Sequence, residues 1–104
     1  MIPLPSQEFL ENLIKNPRDP IVIILFTASW CGPCAKLDKD YLVNLSDKIK
    51  WYKCDIDQNK YTPGYCGVKT IPAFLPIVNG SVKPLFGSSD TLKVVEWIKN
   101  GLKV

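Results

Sequence analysis

There is no histidine among these 104 residues, and that absence narrows the chemistry before any motif is considered. The commonest general base and the commonest zinc ligand are both missing, so acid–base work falls to Cys, Asp, Glu, Lys or water. No apolar run approaches the roughly 20 residues that a membrane-spanning helix needs, which sets a membrane role aside. The opening Met1-Ile2-Pro3-Leu4-Pro5 lacks the basic start and apolar core of a secretory signal, so a cytoplasmic location is expected. Concentrated charge of one sign is lacking too. The net charge is +3, and bases alternate with acids, as in Lys36, Asp38, Lys39 and Asp40, leaving no stripe for a nucleic acid. Nor is there a repeat, a linker or a low-complexity segment. A length of 104 residues with 46% hydrophobic content suits one domain spanning 1–104, able to build a core without disulfide staples.

What is present reads as alternating helices and strands. Ser6 can cap a helix whose apolar positions Phe9, Leu10, Leu13 and Ile14 share one face, ended by Asn16-Pro17-Arg18-Asp19-Pro20. Ile21 to Phe26 is uniformly apolar and rich in β-branched residues, as expected of a strand buried on both faces. A helix is expected from about Cys34 to Lys48, with Leu37, Tyr41, Leu42 and Leu45 inward. Lys50 to Ile56 is a second strand, and Asp57 to Cys66 a short helix or irregular crossover. Phe74 to Val78 and Val82 to Phe86 form a hairpin about Asn79-Gly80, a pair suited to a two-residue turn. Pro76 falls inside the first of these strands and predicts a bulge or local break. Asp90 to Leu102 closes the chain as a helix burying Leu92, Val95 and Trp97 or Ile98, and Trp51 and Trp97 read as packing residues. The order αβαβαββα implies an α/β fold, a central mixed sheet of about four to five strands flanked by helices on both faces.

Two of the four cysteines, Cys31 and Cys34, are separated by Gly32-Pro33 and preceded by Trp30. By spacing alone such a pair could cycle between dithiol and disulfide, clamp a metal, or serve as a structural crosslink. In a cytosolic chain the first two uses outweigh the third. A zinc site would have to recruit Cys54 and Cys66, whose 11 intervening residues match no zinc ribbon. At a strand-to-helix junction both thiols sit at a helix start, where free N–H groups favour an anion. Cys31 is then expected to have a pKa below the free value of about 8.5. Cys34, one turn inside, is less exposed. Pro33 occupies an early position that needs no donor, and Gly32 leaves the approach open. Such a pair reduces a disulfide by attack of the Cys31 thiolate, followed by displacement through Cys34.

Trp30-Cys31-Gly32-Pro33-Cys34, between a buried strand and a helix, resembles the active-site motif of the thioredoxin family. Asp55-Ile56-Asp57-Gln58-Asn59 resembles the family's segment after its third strand, and Thr70-Ile71-Pro72 its cis-proline loop. Asn79-Gly80 and Gly87 fall where the family has its hairpin turn and a groove glycine, so the resemblance covers essentially the whole chain. It implies a thioredoxin fold and a protein disulfide reductase acting as an electron carrier. Cys31 would be the nucleophile and Cys34 the resolving thiol, with Trp30, Gly32, Pro33, Ile71, Pro72 and Gly87 lining a substrate groove. Lys53 and Asp57 would tune the site. The resemblance implies no metal and no dissociable cofactor, the two sulfurs being the redox centre. Electrons would come from a thioredoxin reductase or equivalent donor. They would pass to oxidised proteins such as ribonucleotide reductase, peroxiredoxin or methionine sulfoxide reductase, with the chain working as a monomer.

The chain also departs from the family pattern. Leu25 stands where thioredoxins usually bury an aspartate beneath the resolving cysteine. The resemblance therefore implies slower resolution, with water taking the proton, and a core steadier than one holding a carboxylate. Lys53, the aspartate's usual neighbour, is expected to snorkel to solvent. Thr27 replaces a large aromatic and leaves a roomier groove floor. Lys39 replaces a kinking proline, so that helix is expected to run straighter. Cys54 reads as a small buried hydrophobe. Cys66, on the loop side that faces the active site by family analogy, is either an inert filler or a thiol for regulation or dimer formation.

Overall fold

The computed structural model describes residues 1–103 and contains a five-stranded sheet. Its strands are β1 (Ile2–Pro3), β2 (Ile21–Thr27), β3 (Ile49–Asp55), β4 (Ala73–Val78) and β5 (Ser81–Val82), ordered β1-β3-β2-β4-β5. β3 runs parallel to β1 and β2, whereas β4 is antiparallel to β2 and β5, so the sheet is mixed as expected. The two-residue β1 was not foreseen, because Pro3 and Pro5 leave too little periodicity to mark a strand. It is held by pairing Ile2 with Tyr52 and Pro3 with Lys53.

β2 explains why helices cover both faces. Its alternate residues Ile21, Ile23 and Leu25 pack with Leu37, Leu42, Val94, Val95 and Ile98, while Val22, Ile24 and Phe26 pack with Leu4, Leu10, Tyr52 and Cys54. The first set faces α3 (Lys39–Val43) and α5 (Thr91–Trp97); the second faces α1 (Gln7–Lys15). A strand apolar at its first six positions, Ile21 to Phe26, is the sequence form of a sheet buried on both sides. Trp51 and Trp97 are packing residues, as expected: Trp51 meets Phe74 edge-on at 6.2 Å, and Trp97 stacks on Phe86 at 4.7 Å.

Four expectations are corrected. The helix after the cysteines is broken, not straightened. α2 (Gly32–Ala35) stops, and α3 starts anew behind Asp38, whose Oδ1 accepts from Tyr41 N–H at 3.0 Å. An aspartate satisfies a free helix-start donor better than it serves a helix interior, so Asp38 ends the first helix without any proline. Asp38 N–H also donates to Thr91 Oγ1 at 3.0 Å, which ties the break to α5. Tyr41 is consequently exposed. Pro76 does not break β4, which runs unbroken with Pro76 opposite Ile23. The Pro76 carbonyl accepts from Lys83 N–H at 2.9 Å, so this residue's missing donor faces the β5 side and the ladder to β2 is intact. The interruption falls on the partner. β5 ends at Val82, and beyond Pro84 only Phe86 pairs again, with Phe74. The closing helix begins as expected, with the Asp90 carboxylate accepting from Leu92 and Lys93 N–H groups. It passes at Ile98–Leu102 into π-helical turns, and Leu92 is 72% exposed, since Val94, Val95 and Ile98 make the inward stripe.

The Asn79-Gly80 turn is as expected, with φ values of 50° and 79°. Gly80 has no substitute there: a Cβ would lie 2.8 Å from the Ile14 carbonyl oxygen. The Asp57–Cys66 segment resolves into turns followed by α4 (Thr62–Cys66), which Gly67 ends at φ 76°.

Candidate active site

β2 delivers the chain to the cysteines and α2 carries them away. Cys31 is the N-cap of α2, and Pro33 lies in its first turn, where no backbone donor is required. Cys31 and Cys34 are joined as a disulfide with a Cα–Cα distance of 5.3 Å, within the usual range for such bonds. The Cys34 N–H donates to Cys31 Sγ at 3.2 Å. A donor aimed at that sulfur favours its thiolate when the bond is open. Cys31 is 6% exposed and Cys34 2% exposed, the order expected. The pair rests on Ala28, Ile56 and Ile71 in a small apolar cluster.

Around this pair the structure places most of the residues singled out in the sequence. Trp30 is 66% exposed, and its indole Nε1–H donates to Asp57 Oδ2 at 2.8 Å, fixing the ring beside the thiols. The Ile71–Pro72 bond is cis, and the Ile71 carbonyl oxygen lies 4.0 Å from Cys31 Sγ. Gly32 and Pro33 are exposed at the helix start. Gly87 borders the Pro72 carbonyl, which a Cβ at that position would approach to 3.5 Å. Trp30 and Ile71 also line a depression of about 380 Å³ with Ile56, Pro63, Val68, Lys69 and Thr70. These last five were not assigned to the groove from sequence. Ile56 and Thr70 lie inside the quoted segments at 55–59 and 70–72, but nothing local marks Pro63 or Val68.

Behind the disulfide lies a second cavity of about 390 Å³, lined by Cys31, Cys34, Lys39, Lys53 and Asp55 among others. Lys39 Nζ donates to the Cys34 carbonyl at 3.3 Å, a contact that no local sequence pattern marks. The Lys53 side chain is exposed, as expected of an ammonium with no buried carboxylate nearby. Leu25, which pairs with Lys53 in the strand register, is 0% exposed within the core on that face. Thr27 lines this cavity and not the groove beside Trp30.

Cys54 and Cys66 stand apart from the pair. Both belong to the apolar cluster around α1, Cys54 buried and Cys66 partly so. This corrects the placing of Cys66 toward the active-site thiols: α4 turns it back onto the sheet. Burial pushes the Cys54 thiol up to about 12, helped by the neighbouring Cys66 and Asp55 charges, and pushes Cys66 up to about 11. A raised pKa leaves less thiolate at any lower pH. At about pH 8 roughly one Cys66 in a thousand is ionised, and fewer of Cys54. Both are therefore expected to resist iodoacetamide in the native protein at that pH and to react once it is unfolded. Peptide mapping by mass spectrometry checks this, and rapid native labelling of Cys54 would contradict it.

The thioredoxin family model matches residues 1–100. A thioredoxin of Rickettsia bellii is 31% identical over 101 residues, spanning 93% of this chain and 94% of that protein. The M-type chloroplast thioredoxin of Brassica napus is 34% identical over 85 residues, 79% of this chain, and the chain spans 48% of that protein's length. The solved thioredoxin of Fasciola hepatica superposes with a TM-score of 0.85 at 27% identity, covering 96% of this chain and 98% of its own. With the cysteine pair, the cis-proline loop and the mixed sheet in place, the chain belongs to the thioredoxin family of thiol–disulfide oxidoreductases.

Proposed function

We propose that the chain is a protein disulfide reductase in which Cys31 attacks a substrate disulfide and Cys34 resolves the mixed disulfide. The observation that carries this is the Cys34 N–H held 3.2 Å from Cys31 Sγ at the start of α2, beside an exposed Trp30. Attack by the Cys31 thiolate breaks the substrate S–S bond, releasing one substrate sulfur as a thiolate that takes a proton. The Cys34 thiolate then attacks Cys31, re-forms the internal disulfide, and releases the second substrate sulfur. Two electrons pass from the dithiol to the substrate. Trp30, Gly32, Pro33, Ile71, Pro72 and Gly87 form the surface that receives an extended substrate segment, the Ile71 backbone being open to pairing. Asp57 tunes the site by holding Trp30, and Lys53 by its charge behind Cys34.

The donor in this reading is a thioredoxin reductase or an equivalent dithiol source. The clients are oxidised proteins of the ribonucleotide reductase, peroxiredoxin and methionine sulfoxide reductase kinds. The chain works as a cytoplasmic monomer and electron carrier, re-reduced after each turn in a compartment that favours thiols. The test is reduction of insulin disulfides by the chain with a panel of thioredoxin reductases and NADPH, and with dithiothreitol as a donor needing no partner. Insulin should precipitate faster than with dithiothreitol alone. No acceleration with any donor would overturn the reading.

A further inference from the structure

The proton on Cys34 has no buried carboxylate to receive it: among the described residues no aspartate or glutamate is buried. Leu25, beneath the site, is apolar and sealed in the core. The opening beside Cys34 is the cavity of about 390 Å³ behind the disulfide, and the ionisable groups facing it are Lys39 from α3, Lys53 and Asp55 from β3, and Cys31 itself. Two ammonium groups against one carboxylate make it a positive environment. Of these groups Lys39 alone is tied to the resolving residue, its Nζ donating to the Cys34 carbonyl at 3.3 Å from a half-buried side chain.

We propose that Lys39 is a positioning residue for the resolving step, its ammonium clamping the Cys34 main chain and stabilising the Cys34 thiolate in place of assistance from a buried carboxylate. This rests on the assignment of Cys34 as the resolving thiol. In the mixed disulfide, Cys34 loses its proton to the solvent that the cavity admits. Its thiolate then attacks Cys31 Sγ, the Cys31–substrate bond breaks, and the bonding pair leaves on the substrate sulfur, which is protonated from solvent. The ammonium takes no proton and carries no electron. It holds a positive charge on the cavity that Cys34 also lines, and partial burial limits its screening by salt.

The rate of substrate release shows the effect after rapid mixing with a fluorescence-quenched disulfide peptide, at concentrations where attack is not limiting. Lys39→Met should raise the apparent pKa of that step by about half to one unit, as loss of a nearby cation does. A thiolate of higher pKa is also the stronger nucleophile, with a Brønsted slope of about 0.4–0.5, so the net slowing near neutral pH is about two- to fourfold. Above both pKa values the variant should equal or exceed the parent. That crossing cannot come from mere loosening of α2, which would lower the rate by one factor at every pH. Lys39→Arg should keep the parental profile. A Lys39→Met profile that coincides with the parent's, or lies uniformly below it, overturns the role of Lys39. Cys34→Ser separates the two readings. If it fails to accumulate the peptide adduct, the resolving assignment itself is wrong. If the adduct accumulates, the Lys39 profiles decide the inference alone.

Discussion

Cys31→Ser should drop disulfide reduction to the uncatalysed background, a loss of at least about three orders of magnitude for an obligatory nucleophile. A hydroxyl is not ionised near neutral pH, and an oxygen at position 31 cannot form the disulfide in which the two electrons are stored. The site around it stays intact. The Cys34 N–H would still have an acceptor, the Trp30–Asp57 bond is unaffected, and serine replaces cysteine with little change in volume. The loss is therefore chemical. Urea unfolding should show the variant within about 1–2 kcal/mol of the reduced parent, the range for a buried polar swap that keeps a partner. Cys34→Ser should also abolish turnover for a different reason: attack proceeds and release does not. A Cys31→Ser protein that retained more than about a tenth of parental activity on insulin would remove Cys31 from the role given to it.

Leu25→Asp should destabilise the fold by about 4 kcal/mol or more at neutral pH. Removing a fully buried leucine side chain forfeits about 2–3 kcal/mol of apolar burial. The aspartate then adds the expense of a carboxylate buried among the apolar residues of that core, its register neighbour Lys53 being turned out to solvent. Burial raises the folded-state pKa of such a group above its unfolded value near 3.9, so the folded state holds its proton longer. The sign follows. The deficit is smallest at acid pH, grows as pH rises past about 4, and levels off above the raised folded value. Against native stabilities of about 5–15 kcal/mol this is a large fraction. Urea unfolding of both proteins at acid and neutral pH measures it, and a Leu25→Asp protein equal to or steadier than its parent at neutral pH would contradict the argument.

How much the sequence disclosed varied with the range of the interaction involved. β2 was readable because six consecutive apolar residues, Ile21 to Phe26, leave no face for solvent. The hairpin turn was readable because Asn-Gly carries its own backbone preference. The reading of the second helix as one straight run erred because it rested on the apolar positions Leu37, Tyr41, Leu42 and Leu45 and on a missing proline, and overlooked a presence. Asp38 caps α3 through its own carboxylate and is fixed from α5 by Thr91, 53 positions away. Pro76 misled in the opposite sense. Whether its missing donor matters depends on which neighbour it faces, and single-strand patterning does not record that. At the site, the local motif showed the cysteines, and the likeness to the family showed the proline loop. The Trp30–Asp57 bond, the Lys39–Cys34 contact and the turning of Cys66 onto the sheet all arise from elements that meet only in the folded chain.

In the proposed mechanism Cys31 is the attacking sulfur and Cys34 the sulfur that releases the substrate. Mass spectrometry under non-reducing conditions tests it most directly, on reduced Cys34→Ser protein mixed with a disulfide-linked peptide. One stable adduct is expected, the mass of one peptide half, mapped to Cys31, while the parent protein returns to its internal disulfide with no adduct. An adduct mapped to Cys66 or Cys54, or none at all while the parent still reduces the peptide, would contradict it.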